Sequence, residues 1–380
     1  MKKVLFTATV DSHILQFHLP FLKLFKDKGY EVHVATNGTE EIPYCDKKHV
    51  ITFERSPYKL NNLKAIKQLK KICDEEKFDI IHTHTPMGGV VTRLAAKNAR
   101  KKYGTRVIYT AHGFHFCKGG PLKNWILYYP IEWYLAKYMD TLITINNEDY
   151  ELAKKKFSKR CNDINYVPGV GIDDEKFDIK VTEQEKEELR NELGIKDNDF
   201  VMIYPAEVSK RKRHLWLINT VAPMLKEHKD MYLLLPGEDS LNGQAHQLIK
   251  DYGLEKQLQL LGYRKDIPKL LRISNLSISS SDREGLPVNL MEAMYSQIPM
   301  VVTDCRGNRD LVTNGENGFV IEPRDSKAFN EAILKLKEDK KLYKKMSLAN
   351  KELIKPYMLS EVMKDMEEIY LKKIKGTSNE

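Results

Sequence analysis

Long uncharged apolar runs are missing from this 380-residue chain. The N-terminal MKKVLFTATVDSH has a short apolar run, but Asp11 cuts it and no convincing cleavage site follows, so a first buried strand is expected rather than a signal peptide. The most aromatic stretch, WILYYPIEWYLA over residues 125–136, contains Pro130 and Glu132 and is too short to span a bilayer. Cysteine is scarce. Cys45, Cys73, Cys117, Cys161 and Cys305 are odd in number and lack C-x-x-C spacing, which argues against a disulfide framework or zinc ribbon and suits a reducing cytoplasm. Internal repeats and low-complexity tracts are absent too. No nucleic-acid-binding motif accompanies the net charge of +9, so nucleic acid is not an expected partner. Lysines in segments such as LKAIKQLKKICDEEK read as solvated helix faces, and a weak peripheral contact with an anionic inner leaflet stays open.

What is present alternates. Strand-like and helix-like segments follow one another along the whole chain, which predicts an α/β fold with mostly parallel sheets. The length suits two domains. VLFTATV predicts the first strand, FHLPFLKLFKDKGY a helix closed by Gly29, and YEVHVAT the second strand. The connecting loop TVDSHILQ has no glycine, which removes the main support for an ordinary dinucleotide site and leaves His13 and His18 as candidate acceptor-side residues.

The chemistry centres on residues 274–300, SNLSISSSDREGLPVNLMEAMYSQIPM. SNLSISS alternates like a half-buried strand, and NLMEAMYSQ is rich in helix formers. Pro287 suits the first helical turn and Gly285 permits close backbone approach to a ligand. Such a helix start turns free N–H groups toward an anion, most simply a phosphate. Glu284 and Glu292 would repel phosphate, so they are expected to accept hydroxyl groups on either side of it, as in a sugar nucleotide.

EGLPVNLMEA resembles the Glu-x7-Glu signature of retaining glycosyltransferases of family 4, whose GT-B architecture consists of two facing Rossmann-like domains. The resemblance places Glu284 near the donor sugar, Glu292 on the nucleotide ribose, and Gly285 and Leu286 on the diphosphate. THG or AHG after a strand resembles the family histidine that touches the donor sugar, which puts that catalytic role on His112. FVMIYPAEVSKRKRH departs from the family pattern: Ala206 and Glu207 stand where Gly and Arg are usual, while Lys212 aligns with the diphosphate lysine. Arg211 and Arg213 are both open as replacements for the missing charge. LGYRKDI resembles the loop that walls the base, with Arg264 as a member. The segment INYVPGVGIDDEKFD resembles the close of the first domain. The expected division is 1–180 for an acceptor-side domain, 181–355 for a nucleotide-sugar domain and 356–375 for a helix crossing back to the first; the tail GTSNE is expected to be disordered.

The resemblance extends to a bacterial capsule and exopolysaccharide branch. It implies transfer from a nucleotide sugar, with a UDP-sugar favoured, to a glycan or polyprenyl-diphosphate-linked acceptor. Front-face substitution with retention is implied as well. The triplet Asp197-Asn198-Asp199 precedes a strand at the wrong end of a sheet, so no metal or cofactor is expected at the diphosphate. His82, His84, His112 and His115 lie near two strand ends, where structural hydrogen bonding outweighs zinc as an expectation. The aromatic segment reads as core before membrane anchor. A nucleotide-sugar epimerase on the same fold and a non-catalytic sugar-nucleotide-binding protein remain alternatives.

Overall fold

A computed structural model describes residues 1–372; the tail GTSNE and the last residues of the expected crossover segment lie outside the described residues. The chain forms two compact units, one of Met1–Val170 joined by the chain from Val362 onward, the other of Gly171–Glu361. The first divide thus falls ahead of residue 180, at the glycine that ends VPGVG.

In the first unit the strands are β1 (Lys3–Val10), β2 (Glu31–Asn37), β3 (Lys47–Val50), β4 (Ile80–Thr83), β5 (Arg106–Ala111), β6 (Thr141–Thr144) and β7 (Asp163–Tyr166). Their order is β3-β2-β1-β4-β5-β6-β7, all parallel. Period-two alternation sends Val4 and Phe6 into one core cluster and Leu5 into the other, so β1 is covered on both faces. The last helix, Leu359–Leu371, contributes Val362, Met366, Ile369 and Tyr370 to the first of these clusters. Its Tyr370 hydroxyl lies 2.7 Å from His82 Nδ1.

In the second unit β8 (Phe200–Ile203), β9 (Met231–Pro236), β10 (Leu258–Gly262), β11 (Leu276–Ser279), β12 (Met300–Thr303) and β13 (Gly318–Ile321) form a parallel sheet in the order β10-β9-β8-β11-β12-β13. Both sheets reverse direction once, at β1/β4 and at β8/β11. Loops leaving the carboxyl ends of those strand pairs diverge, and ligands in such folds bind in the crevice between them.

The aromatic segment is broken at Pro130 into helices Leu122–Leu127 and Tyr129–Leu135. It divides its faces: Trp125, Tyr128 and Tyr129 pack on the core, while Leu122, Ile126, Trp133 and Tyr134 are exposed. No helix among the described residues is long and apolar enough to cross a membrane.

Asn146 caps the helix Asn147–Phe157, accepting from Asp149 N at 2.8 Å. Asn146 also donates to Asp149 Oδ2 at 2.9 Å, and that same oxygen accepts from Phe114 N at 3.0 Å, so the cap fixes the loop carrying His112. Asn146→Ala is expected to lower stability by about 1–2 kcal/mol, read as a shifted urea midpoint with unchanged slope.

Candidate functional site

The second unit builds a charged centre at the β8/β11 reversal. The loop after β8 carries Lys210–Arg213 and the loop after β11 carries Ser280–Pro287. Asp282 N donates to Arg211 O at 3.1 Å, and Ser280 Oγ donates to Lys212 O at 2.7 Å, so backbone and side chain lock the loops together. Glu284, 8% exposed, lies between them. Its Oε1 accepts from Lys212 Nζ at 2.5 Å and from Ser281 Oγ at 2.5 Å, and its Oε2 from Arg211 at 3.1 Å. Burial alone pushes the Glu284 pKa up, but the Lys212 and Arg211 charges outweigh it and hold the carboxylate below its ordinary range. Arg213 instead pairs with Asp282 at 3.2 Å and covers the Trp216 ring, so Arg211 is the arginine that adds charge beside Lys212.

Arg306 braces this loop from behind. Its Nε donates to Glu284 O at 2.8 Å, and Glu284 N donates to Arg306 O. Gly307, at φ +84°, packs so closely that an added Cβ would lie 2.7 Å from Gly285 O. Nothing in the motif EGLPVNLMEA points to Arg306; only the adjacent strand end brings it there. Among the described residues, the amides of Gly285 and Leu286 donate to no backbone carbonyl. The buried Asn289 Nδ2, in the first turn of the helix Val288–Tyr295, has no hydrogen-bond partner either.

Glu292 lies farther along that helix and is half-buried, and its carboxyl makes no hydrogen bond among the described residues. Burial pushes its pKa up to about 7, against a weak downward pull from Lys176. Glu207, at the usual arginine position, accepts from Ser240 Oγ at 2.5 Å. Arg264 is held elsewhere: Asp266 binds it bidentately at 2.8 and 2.6 Å and Glu192 adds a contact at 3.2 Å, so its charge is already neutralised and no hydrogen bond joins it to Glu284 or Lys212.

In the first unit the expected loop TVDSHILQ is not a loop. Helix Asp11–Phe17 starts directly after β1, because buried Asp11 ties its first turn to Thr36 at 2.5 Å, Glu40 N at 2.9 Å and Lys48 at 2.8 Å. A carboxylate thus stands where a phosphate-binding loop would present amides. The same turn places His13 and His18 beside His84, which follows β4, and His112, which follows β5. His112 Nε2 is 3.4 Å from His84 Nδ1, and the His18 and His84 rings stack at 3.7 Å. Burial pushes the His13 pKa down to about 4, with help from the Arg55 charge, and drives His18, His84 and His112 well below the usual imidazole range. His82 is satisfied by Tyr370 and Thr110, and His115 stacks on Tyr128 outside the group.

Beside these rings is a cavity of about 450 Å³ whose lining includes His13, Phe17, Arg55, Tyr109, Ile131 and Glu132. Its wall contains Thr85 at φ +64°, a left-handed conformation costly for a β-branched residue and common where sites store strain. Behind it, fully buried Arg93 pairs with Glu132 at 2.9 Å and lies over the Tyr109 ring. Arg55 makes no ion pair among the described residues. Sequence reasoning singled out neither Arg55 nor the Arg93–Glu132 pair, since their partners are remote along the chain.

Two doubly wound parallel sheets, the second with a cationic centre and free helix-start amides at its reversal point, define the class of GT-B nucleotide-sugar transferases. Family comparison agrees: the description Glycosyl transferases group 1 matches residues 185–353, and Glycosyl transferase 4-like matches residues 3–146. The chain belongs to this glycosyltransferase family. It is 41% identical over 97% of its length to a Bacillus subtilis (strain 168) protein carrying the provisional name glycosyltransferase EpsD, covering 96% of that protein. It is 31% identical over 74% of its length to an Escherichia coli UDP-Gal:alpha-D-GlcNAc-diphosphoundecaprenol alpha-1,3-galactosyltransferase, covering 72% of it. In fold it is similar to Anabaena Alr3699/HepE, crystallised with UDP and glucose, at a TM-score of 0.77 and 20% identity over 97% of this chain and 99% of that one.

The raised Glu292 pKa has a measurable consequence. The folded state holds this proton more tightly than the unfolded chain, whose carboxyl titrates near 4.5, so Glu292 removes stability as pH rises from there through about 7. Glu292→Gln is expected to shrink the loss of stability between about pH 5 and about pH 8 in urea titrations. An unchanged difference between the two pH values would show the carboxyl to be solvated.

Proposed function

We propose that this glycosyltransferase moves a sugar, with retention, from a UDP-sugar to a polyprenyl-diphosphate-linked glycan in surface-polysaccharide assembly. The observation that carries the donor half is the Glu284–Lys212–Arg211 cluster beside the unpaired amides of Gly285 and Leu286. Departure of a nucleoside diphosphate builds negative charge, which fixed amides and a lysine stabilise without moving protons. Lys212 would exchange part of its contact with Glu284 for the diphosphate, and Glu284 would then face the reacting sugar. Glu292 takes the ribose hydroxyls. Retention rests on family resemblance, as does the placing of His112 at the donor sugar; in neutral form that imidazole can donate to a hydroxyl. No divalent ion is required at the diphosphate in this reading.

The acceptor half rests on the cavity in the first unit. Arg55, without an ion pair among the described residues, suits a phosphate, and the apolar lining, with exposed Ile131 in it, suits the start of a prenyl chain. A lipid-linked diphosphate is the acceptor named for the Escherichia coli relative.

Steady-state kinetics with a UDP-sugar panel and a synthetic prenyl-diphosphate glycan tests the assignment. Lys212→Ala is expected to lower turnover about 100-fold or more, a few kcal/mol of lost charge stabilisation. Omitting magnesium and manganese should leave turnover unchanged. Glu284→Gln should reduce kcat steeply while UDP affinity, by calorimetry, stays within about threefold. Glu292→Gln should do the opposite, raising donor KM and weakening UDP binding, because a ribose contact is nearly equal before and during bond cleavage. In the wild type UDP affinity should fall as pH drops below about 7, where Glu292 takes up a proton. UDP binding abolished by Glu284→Gln, or untouched by Glu292→Gln, overturns the division of roles.

A further inference from the structure

The quartet His13, His18, His84 and His112 is not explained by sugar transfer. Four imidazoles from three separate segments converge so that one nitrogen from each lies within 4.8 Å of all the others. Packing of neutral rings alone would leave these nitrogens a poor environment. His13 Nε2, both nitrogens of His18 and His84 Nε2 are buried without a hydrogen-bond partner. An unmet buried polar atom costs about 1–3 kcal/mol, so several in one place require a partner.

We infer that the first unit binds one Zn²⁺ ion through His13, His18, His84 and His112. Tetrahedral zinc with Zn–N bonds near 2.0–2.1 Å holds its nitrogens about 3.3–3.4 Å apart. His112 Nε2 and His84 Nδ1 already stand 3.4 Å apart, and one nitrogen each of His13 and His18 lies within 4.8 Å of the rest of the group. An all-imidazole set without thiolate or several carboxylates suits zinc and its late-transition neighbours rather than magnesium or calcium. Ligation of His112 through Nε2 leaves its Nδ1 for substrate.

Neighbouring histidines show what a filled position looks like. His82 has both nitrogens paired, at 2.7 Å to Tyr370 and 2.8 Å to Thr110, and is therefore no ligand. The other grouping, His33, His49 and Glu76, is also satisfied: Glu76 pairs with Lys3 and Lys47, and His33 with His49 and Glu31. Of these two groupings among the described residues, the quartet is the one that contains orphaned nitrogens. A bound ion would tie the helix after β1 to the ends of β4 and β5, making it a positioning element for the His112 loop. It takes no part in diphosphate departure, so the metal-free expectation for that step and this site stand or fall separately.

Full-length protein freed of metal by chelator and gel filtration is to be titrated with Zn²⁺ against a chromophoric competitor, and with Co²⁺ followed by visible absorption. One equivalent of zinc is expected to remain after a second gel filtration, and Co²⁺ should give the intense bands of a four-coordinate nitrogen site without thiolate charge transfer. His18→Asn with His84→Asn should weaken zinc binding by at least about 100-fold, since even outer-sphere partners of a metal site are worth 10- to 100-fold. His246→Asn, at an exposed surface histidine, should leave it unchanged. Wild-type protein that retains no zinc, or a weak six-coordinate Co²⁺ spectrum, overturns the inference whether or not the double variant folds. Undiminished affinity in a double variant with native circular dichroism overturns it as well.

Discussion

The second unit depends on one buried carboxylate held by two cations. Glu284 is nearly inaccessible, and an unpaired charge there would cost several kcal/mol. Lys212 and Arg211 remove that cost, and in doing so they bind the loop after β8 to the loop after β11. The site is thereby charged and assembled before any ligand arrives. Charges and dipoles fixed in advance are the condition under which such groups lower a barrier most.

The first unit solves a similar geometric problem with different chemistry. Its reversal point also opens a crevice, but Asp11 fills the place of a phosphate loop and sends the chain straight into a helix. The crevice is then lined by imidazoles and apolar side chains rather than by amides. The bridge of buried Arg93 to Glu132 braces the wall, which also carries the strained backbone of Thr85. Each unit places left-handed backbone at a strand-to-helix junction, Thr85 in one and Arg213 in the other. Both junctions leave strands at the reversal points, where the surrounding packing over-determines the chain.

Short-range patterns made much of this legible. The strand, loop and helix around Glu284, the proline at the helix start, and the Glu284–Glu292 spacing are properties of neighbouring residues. Alternation of buried strands and amphipathic helices gave the α/β class. Reading failed where a residue's partner is far away in the chain. The ion pairs of Arg264 with Glu192 and Asp266 were not legible in LGYRKDI, and TVDSHILQ looked like a loop until Thr36 and Lys48 tied down Asp11. His82 and His115 were grouped with His84 and His112 by proximity in sequence, whereas the fold replaces those two with His13 and His18.

By itself, then, the sequence determined the two α/β halves, the strand, loop and helix that carry Glu284 and Glu292, and the family to which they belong. These follow from local periodicity and turn chemistry, which neighbouring residues carry. Tertiary structure alone decided that Arg211 rather than Arg213 joins Lys212, that Arg306 braces the loop, and that four histidines from three segments share one point. Parallel sheets join strands through long crossovers, so strand ends that meet in space are tens of residues apart in the chain. No local pattern records which side chains the reversal of strand order will bring together.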